Sequence, residues 1–446
     1  MKRIMVLLCL VLGMAASWAG SAEQQTVQKK DDKFDYGFYL RLRQEYIANE
    51  IFFRNFHAFP PDRGNDNYYR IKASIWGQYK FTKDMSLYAK LTTEPDIYLE
   101  SGNIGKWNYY GDNEGFFDSL YFDYKNAFGL PLDIRVGRQD FLMTYGEGFL
   151  IMDGTPWDGS RSYYFNAAKA SWKFNKNNTL DFVYINDPVH DKFLPVINDL
   201  QRKLNTTNEQ GLVLYSKNKL NEQWAIEPYY MYKIEDPIAN TPGNLALNTL
   251  GGRVVWNASP WKLHGEFAHQ FGDYKNGADR EGNGGYLFMD YTFKKTKTTP
   301  TLTCGYVYLS GDDPTTGKNE GWDPLFSRWP WLSELYIFSF AAEPGAGEVG
   351  YWTNLQAIRG SANFVLTPKD NLTLNYFYMM ANESFNTGIF GNGKTRGQLP
   401  QIYYKHKFNK YVDAMFIGEY FLPGDFYAAT NQDPATFVRL EFTIKF

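Results

Sequence analysis

The last eleven residues constrain this chain more than any other stretch. Thr436, Val438, Leu440, Phe442, Ile444 and Phe446 fall on one face of a period-2 pattern; Phe437, Arg439, Glu441, Thr443 and Lys445 fall on the other. That period belongs to a strand, not a helix. The same alternation recurs from the start of the chain to its end. Phe34, Tyr36, Phe38, Leu40 and Leu42 oppose Arg41, Arg43 and Glu45; Tyr69, Ile71, Ala73 and Ile75 oppose Arg70, Lys72 and Ser74. Further on, Leu250, Val254 and Trp256 oppose Arg253, and Ile358, Ala362 and Phe364 oppose Arg359. In water such strands bury the apolar face. In a barrel wide enough to hold a lumen the sense inverts, and the apolar face meets lipid.

Three features choose the membrane sense. Lys2 and Arg3 precede an apolar run, Ile4 to Ala16, and small residues follow at Gly20, Ser21 and Ala22, which is a secretory signal pattern with cleavage before Glu23. Aromatic residues make up 18% of the chain, more than a soluble sandwich needs. The chain also ends on Phe446, and a terminal strand of this kind resembles the signal by which outer-membrane barrels are recognised for insertion. After the leader, no run of about 20 apolar residues offers a membrane helix. Only Cys304 remains beyond Cys9 of the leader, so neither a disulfide within the chain nor a cysteine metal site can be built.

The predicted fold is therefore all-β: a transmembrane antiparallel β-barrel of about 18 strands with short periplasmic turns and long extracellular loops. Its parts are a signal peptide at 1–22, a periplasmic tail at 23–33 and one barrel domain at 34–446. Strand segments are placed near 34–46, 67–81, 85–95, 116–124, 132–139, 164–174, 178–186, 209–217, 223–234, 247–257, 261–271, 284–294, 300–309, 352–366, 371–381, 399–408, 413–422 and 436–446. Turn chemistry marks the short connections, as in Thr82-Lys83-Asp84, Asn175-Lys176-Asn177 and Asn409-Lys410-Tyr411. The long ones include 47–66, 96–115, 187–208, 272–283, 310–351 and 382–398.

A barrel of this size encloses an aqueous channel. Its lining is predicted on the charged face: Arg41, Arg43, Arg70, Lys72, Arg135, Lys169, Arg253, Lys262, Arg359, Lys405 and Arg439, sharing it with Glu45, Glu94, Asp123, Glu227, Glu266, Glu419 and Glu441. The arginine fork matches carboxylates, so an arginine-rich constriction favours acidic sugars or organic anions. Neutralisation by the carboxylates predicts instead a weakly selective general porin. The formal charge of −3, from 46 Lys+Arg against 49 Asp+Glu, leaves no basic excess for nucleic acid; loss of Lys2 and Arg3 takes it to −5.

The chain resembles the bacterial alginate export porins in three places. These are Arg135-Val136-Gly137-Arg138-Gln139-Asp140-Phe141 with Tyr145-Gly146-Glu147-Gly148-Phe149-Leu150, then Asp153 to Gly159, and the later loop from Ser310-Gly311-Asp312-Asp313-Pro314 to Trp331. The resemblance implies an 18-stranded outer-membrane barrel whose arginine-rich pore passes a uronate polysaccharide, with Arg138, Arg135, Arg41 and Arg43 in the pore. The exporter that typifies the family carries a long periplasmic gating turn late in the chain; here Asn409 to Tyr411 is very short, which keeps a general or anion-selective nutrient porin as the alternative. Expected partners are outer-membrane lipid and lipopolysaccharide, the barrel assembly machinery through Phe446, and an acidic saccharide or small anion.

Weaker features are Asp312 and Asp313 with Glu320 and Asp323 as a Ca²⁺ candidate, and His264 with Glu266 as the start of a hydrolase site. Neither matches a fixed motif, and no cofactor or enzyme activity is predicted. Trp329 and Trp331 are open between stacking on sugars and packing the loop 310–351 inward as a plug, which would make the barrel an anchor or adhesin.

Overall fold

The computed structural model describes residues 33–51, 63–101, 109–110, 114–152, 164–198, 202, 204–205, 207–237, 243–327, 329–339 and 352–446. The expected signal peptide and nearly all of the expected tail lie outside the described residues. So do Asp153 to Gly159.

Eighteen strands form one ring: β1 (Phe34–Ile51), β2 (Arg63–Lys80), β3 (Met85–Thr93), β4 (Gly115–Tyr124), β5 (Leu132–Gln139), β6 (Phe165–Asn175), β7 (Asn178–Asp187), β8 (Glu209–Lys219) and β9 (Trp224–Glu235), then β10 (Leu245–Ala258), β11 (Trp261–Tyr274), β12 (Asp279–Thr292), β13 (Thr301–Leu309), β14 (Leu355–Thr367), β15 (Asp370–Met380), β16 (Thr395–Lys407), β17 (Val412–Pro423) and β18 (Ala435–Lys445). Each pairs antiparallel with the next, and β18 closes on β1 from Tyr39↔Lys445 to Ala48↔Thr436. Closure matters because lipid offers no partner for a free backbone N–H or C=O.

The alternation takes the membrane sense. Ile75, Val136, Leu250, Leu287, Ile358 and Leu440 are exposed on the outer surface, while Glu45, Arg70, Lys72, Lys233, Glu266, Glu419 and Arg439 are buried inside. Exposed aromatics gather near the short-turn rim, among them Phe34, Tyr36, Phe81, Trp172, Phe174, Trp224, Trp261 and Phe408. Tyr184, Tyr230, Tyr306, Tyr376 and Tyr420 are exposed toward the opposite end. Two aromatic bands with an apolar belt between them are what a membrane slab selects. Phe446 completes the lower band. Its ring stacks on Phe38 at 6.1 Å and its backbone N–H donates to Phe38 O at 3.1 Å.

Short polar side chains make the turns, as the sequence predicts. Thr82 Oγ1 accepts from Met85 N at 3.0 Å, Asn175 Oδ1 from Asn177 N at 2.8 Å, and Asn409 Oδ1 from Tyr411 N at 2.8 Å. Two expected long loops are shorter than the sequence suggests. β1 and β2 run on to Ile51 and from Arg63, and the expected loop 272–283 shrinks to a turn between Tyr274 and Asp279 because both flanking strands continue. Pairing extends past the segments that hydropathy marks.

Two loops turn into the barrel and meet there. Ile151–Met152 pairs in parallel with Phe326–Ser327, and all four residues are buried. Phe149 stacks on Trp322 at 5.1 Å and meets Trp331 at 5.4 Å. Asp323 is locked to β11 by Gln270, which donates to its carbonyl at 2.7 Å and accepts from its N–H at 2.9 Å. The short helix Glu334–Ser339 begins on Glu419, which accepts from Glu334 N and Leu335 N, each at 3.1 Å. These contacts lie in the extracellular half of the lumen. The described part of the loop 310–351 is thus an inward insertion.

Candidate functional site

Burying guanidinium groups inside a barrel demands partners for them, and most of the predicted lining finds them. Arg439 binds Glu45 at 2.7 Å and Glu334 of the inserted helix at 2.6 Å, so it joins β1, β18 and the loop. Glu45 also receives Arg70 at 3.4 Å and the Tyr68 hydroxyl at 2.7 Å. Arg43 reaches Glu441 at 2.5 Å. Lys72 sits 3.0 Å from Glu94 and 3.6 Å from Asp118. Arg135 forks onto Asp123 at 2.7 and 2.9 Å. Lys169 meets Asp181 at 3.3 Å, and Lys262 lies 3.9 Å from Asp290.

A second cluster forms where the turn Tyr145-Gly146-Glu147-Gly148 dips to the periplasmic half. Gly146 and Gly148 take φ of +58° and +73°, a region that favours glycine, and a Cβ on Gly148 would press on the Trp329 ring. This turn delivers Glu147 to Arg253 at 2.9 Å and to His264 Nδ1 at 2.6 Å, while Arg253 also meets Glu227 at 3.3 Å. Burial alone would raise the Glu147 carboxyl, but hydrogen bonds and charge from His264 and then Arg253 hold it below its ordinary 4.5.

Two arginines differ from the rest. Arg41 makes no hydrogen bond or ion pair to any described residue, and its Nε is buried without a partner. Arg359 makes one long hydrogen bond, 3.4 Å to Asn375 Oδ1, and no ion pair among the described residues; it lies 5.2 Å from the Phe288 ring and 5.7 Å from the Phe377 ring. Arg41 stands seven residues above the start of β1, and Arg359 eight residues above the end of β14, so they share nearly the same depth. Lys405, exposed nearer the short-turn rim, has no ion pair among the described residues either.

Arg138 sits elsewhere. It is 2% exposed and forks onto Asp191 of the extracellular loop after β7, with both bonds at 2.7 Å. It also donates to Phe117 O at 2.9 Å and Asn166 Oδ1 at 3.0 Å. The cause is parity: Arg138 is one residue past the inward Gly137, whose φ of +126° bends the strand where a Cβ would strike Leu120 O. Arg138 therefore anchors a loop and does not face the open lumen.

The weaker candidates are absorbed by the fold. Asp312 accepts from Glu320 N at 3.0 Å and Asp313 from Thr315 N at 2.8 Å, so both carboxylates shape their loop. Among the described residues no cluster of three metal-ligating side chains occurs. His264 lies between two carboxylates, Glu147 and, at 3.3 Å, Asp290; no serine hydroxyl contacts it among the described residues. Trp329 donates to Gly148 O at 2.9 Å and Trp331 packs on Tyr286, so both belong to the inserted loops. Glu147 is the member of this cluster that composition hides, since only its Gly-Glu-Gly setting marks it.

Comparison with solved structures finds the same architecture. OccK2 (OpdF) of Pseudomonas aeruginosa, solved in complex with glucuronate, superposes with a TM-score of 0.58 at 9% identity, covering 92% of this chain and 98% of that one. OccAB1 of Acinetobacter baumannii gives 0.56 at 12% identity, covering 95% and 99%. OccK11 (OpdR) of P. aeruginosa gives 0.54 at 12%, covering 94% and 99%. No curated protein matches this sequence significantly. The family model described as alginate export matches residues 36–440, nearly the whole barrel, and the chain belongs to that family of outer-membrane channel proteins.

Proposed function

We propose that this channel passes anionic, uronate-type saccharides across the outer membrane. The observation that carries this reading is the pair Arg41 and Arg359, two guanidinium groups at nearly one depth that form no ion pair with a carboxylate of the described residues and feel Glu441, and Asp290 with Glu147, only at longer range. The field in a narrow aqueous path is set by uncompensated charge near it, not by the formal charge of the whole chain. Arginine keeps its proton at any relevant pH, and its fork suits a sugar carboxylate. A channel of the same fold has been solved with glucuronate, a single uronate. The turn between β16 and β17 is only the four residues 408–411, so nothing there reaches back to gate the periplasmic mouth.

The alternative, an anion-selective nutrient porin, draws on the same two arginines and differs in the length of the solute. Planar-bilayer recordings separate the readings. Anion-preferring reversal potentials under a KCl gradient, with current blocks by oligouronates, support saccharide passage. Anion preference with blocks by monouronate alone supports the nutrient porin. Cation preference, or no conductance at all, overturns both.

A further inference from the structure

Many inward-facing aromatic side chains are covered by the inserted loops, as Tyr215 is by Tyr145 and Tyr286 by Phe149. Among those that are not, three stand in a row. Trp76 on β2, Tyr88 on β3 and Tyr121 on β4 are half-buried and share the inward faces of Ser74, Ser86 and Asp123 respectively. Trp76 stands three to four residues from the short-turn end of its strand, and so do Tyr88, Tyr121 and Arg135 of β5, so the row runs around the wall at one height. Across four neighbouring strands it spans about 14 Å.

The rings form a slipped series. Trp76 and Tyr88 are parallel within 23° with centroids 5.9 Å apart, and Tyr88 and Tyr121 within 17° at 5.0 Å. Such separations mean an offset stack: Tyr88 lies between Trp76 and Tyr121, and Trp76 packs on Gly37 at the other end of the row, so the rings, half-buried, expose their lumen-side margins. The Arg135 guanidinium lies 4.0 Å over Tyr121 and is fixed there by Asp123 through Nε and one terminal nitrogen. Its other terminal nitrogen has no partner among the described residues, nor do the Tyr88 and Tyr121 hydroxyls or the Trp76 indole N–H.

We propose that Trp76, Tyr88 and Tyr121, ended by Arg135, form a docking belt for pyranose rings at the periplasmic mouth; this deepens the uronate reading above and rests on it. The apolar C–H face of a pyranose gains dispersion contact along the exposed ring margins. Its hydroxyls meet the free tyrosine hydroxyls and indole N–H, and a carboxylate at the end of the row meets the remaining nitrogen of Arg135. A saccharide held at the mouth then faces the unpaired Arg41 deeper in the lumen.

The test uses the full protein in planar bilayers, with a short oligouronate and a neutral oligosaccharide of equal length as blockers. Trp76→Ala with Tyr88→Ala and Tyr121→Ala should shorten block residence by about tenfold for both sugars, and the reversal potential should not move. Tyr88→Phe with Tyr121→Phe keeps the rings and should cost less. Equal residence times in wild type and the triple variant overturn the belt while oligouronate block in both leaves the uronate reading intact; no oligouronate block in wild type overturns both. If the triple variant does not assemble as a heat-modifiable barrel, Tyr88→Ala alone, removing the middle ring, decides by the same comparison.

Discussion

The extracellular and periplasmic halves of this lumen hold similar residue types and treat them differently. Above, arginine and carboxylate are packed to mutual exhaustion: Arg439 is shared by Glu45 and Glu334, and Lys233 by Glu209, Glu235 and Asp323. Aromatic side chains there fill space around the paired segments at Ile151 and Phe326. Below, Arg41 and Arg359 form no ion pair among the described residues, and Trp76, Tyr88 and Tyr121 stay half-buried with their margins toward the lumen. A charge buried with its partner contributes cohesion, and a charge left facing water contributes field. Counting arginines does not separate these roles; counting their carboxylates does.

The widest separation between the halves should come from Arg439→Ala. It leaves Glu45 and Glu334 facing each other in a site where the arginine side chain is 1% and the Glu45 side chain 2% exposed. Breaking a pair this buried costs about 3–5 kcal/mol, read as a lower midpoint of heat-induced unfolding in detergent. The lower half should respond in the other currency. Arg41→Ala with Arg359→Ala should leave the unfolding midpoint nearly unchanged and reduce anion-over-cation permeability by about fivefold, the effect of roughly 1 kcal/mol from two charges acting through water. A large stability loss with unchanged selectivity would reverse the assignment of roles.

Glu147 belongs to both halves, because it ties an inserted loop to the open wall. Its folded carboxyl lies below its ordinary value of 4.5, so the tether to His264 and Arg253 is complete above that pH. Its contribution is lost only as pH falls through the lowered value. Channel recordings should accordingly be quiet at neutral pH and show severalfold more frequent closures at strongly acidic pH. Glu147→Gln should show those closures already at pH 7. A Gln variant as quiet as wild type at neutral pH, with closures appearing in both only on acidification, would assign them to other groups.

The ring itself was legible because each strand repeats one physical rule, apolar outward and polar inward, and because Thr82, Asn175 and Asn409 mark the turns with their own hydrogen bonds. The strand ends were less so: between Ile47 and Glu50 the register of β1 with β2 shifts, and no hydrophobic alternation marks the pairing that resumes to Ile51. What the alternation does not encode is contact across the lumen. Glu334 is 105 residues from Arg439, and Glu147 is 117 from His264; both acids arrive on inserted loops whose path no periodicity describes. Arg138 differs: three residues past the inward Arg135 it falls on the opposite face of β5, so the strand period itself opposes the pore position that the family resemblance implies.

The smallest effect is the sharpest test of compensation. Arg135 is inward, close to the mouth and 36% exposed at its side chain, so by position alone it belongs with Arg41. By pairing it belongs with Arg439, since Asp123 takes two of its nitrogens. Exposed pairs contribute little to stability, about 1 kcal/mol or less, so removing this one should not threaten the barrel. Arg135→Ala with Asp123→Ala is charge-neutral, and the reversal potential should stay within a few millivolts of wild type. Arg135→Ala alone strands Asp123 and should move it slightly toward cations. If the neutral double variant loses anion preference as far as the Arg41 and Arg359 double variant does, arginines act by position and the compensation argument fails.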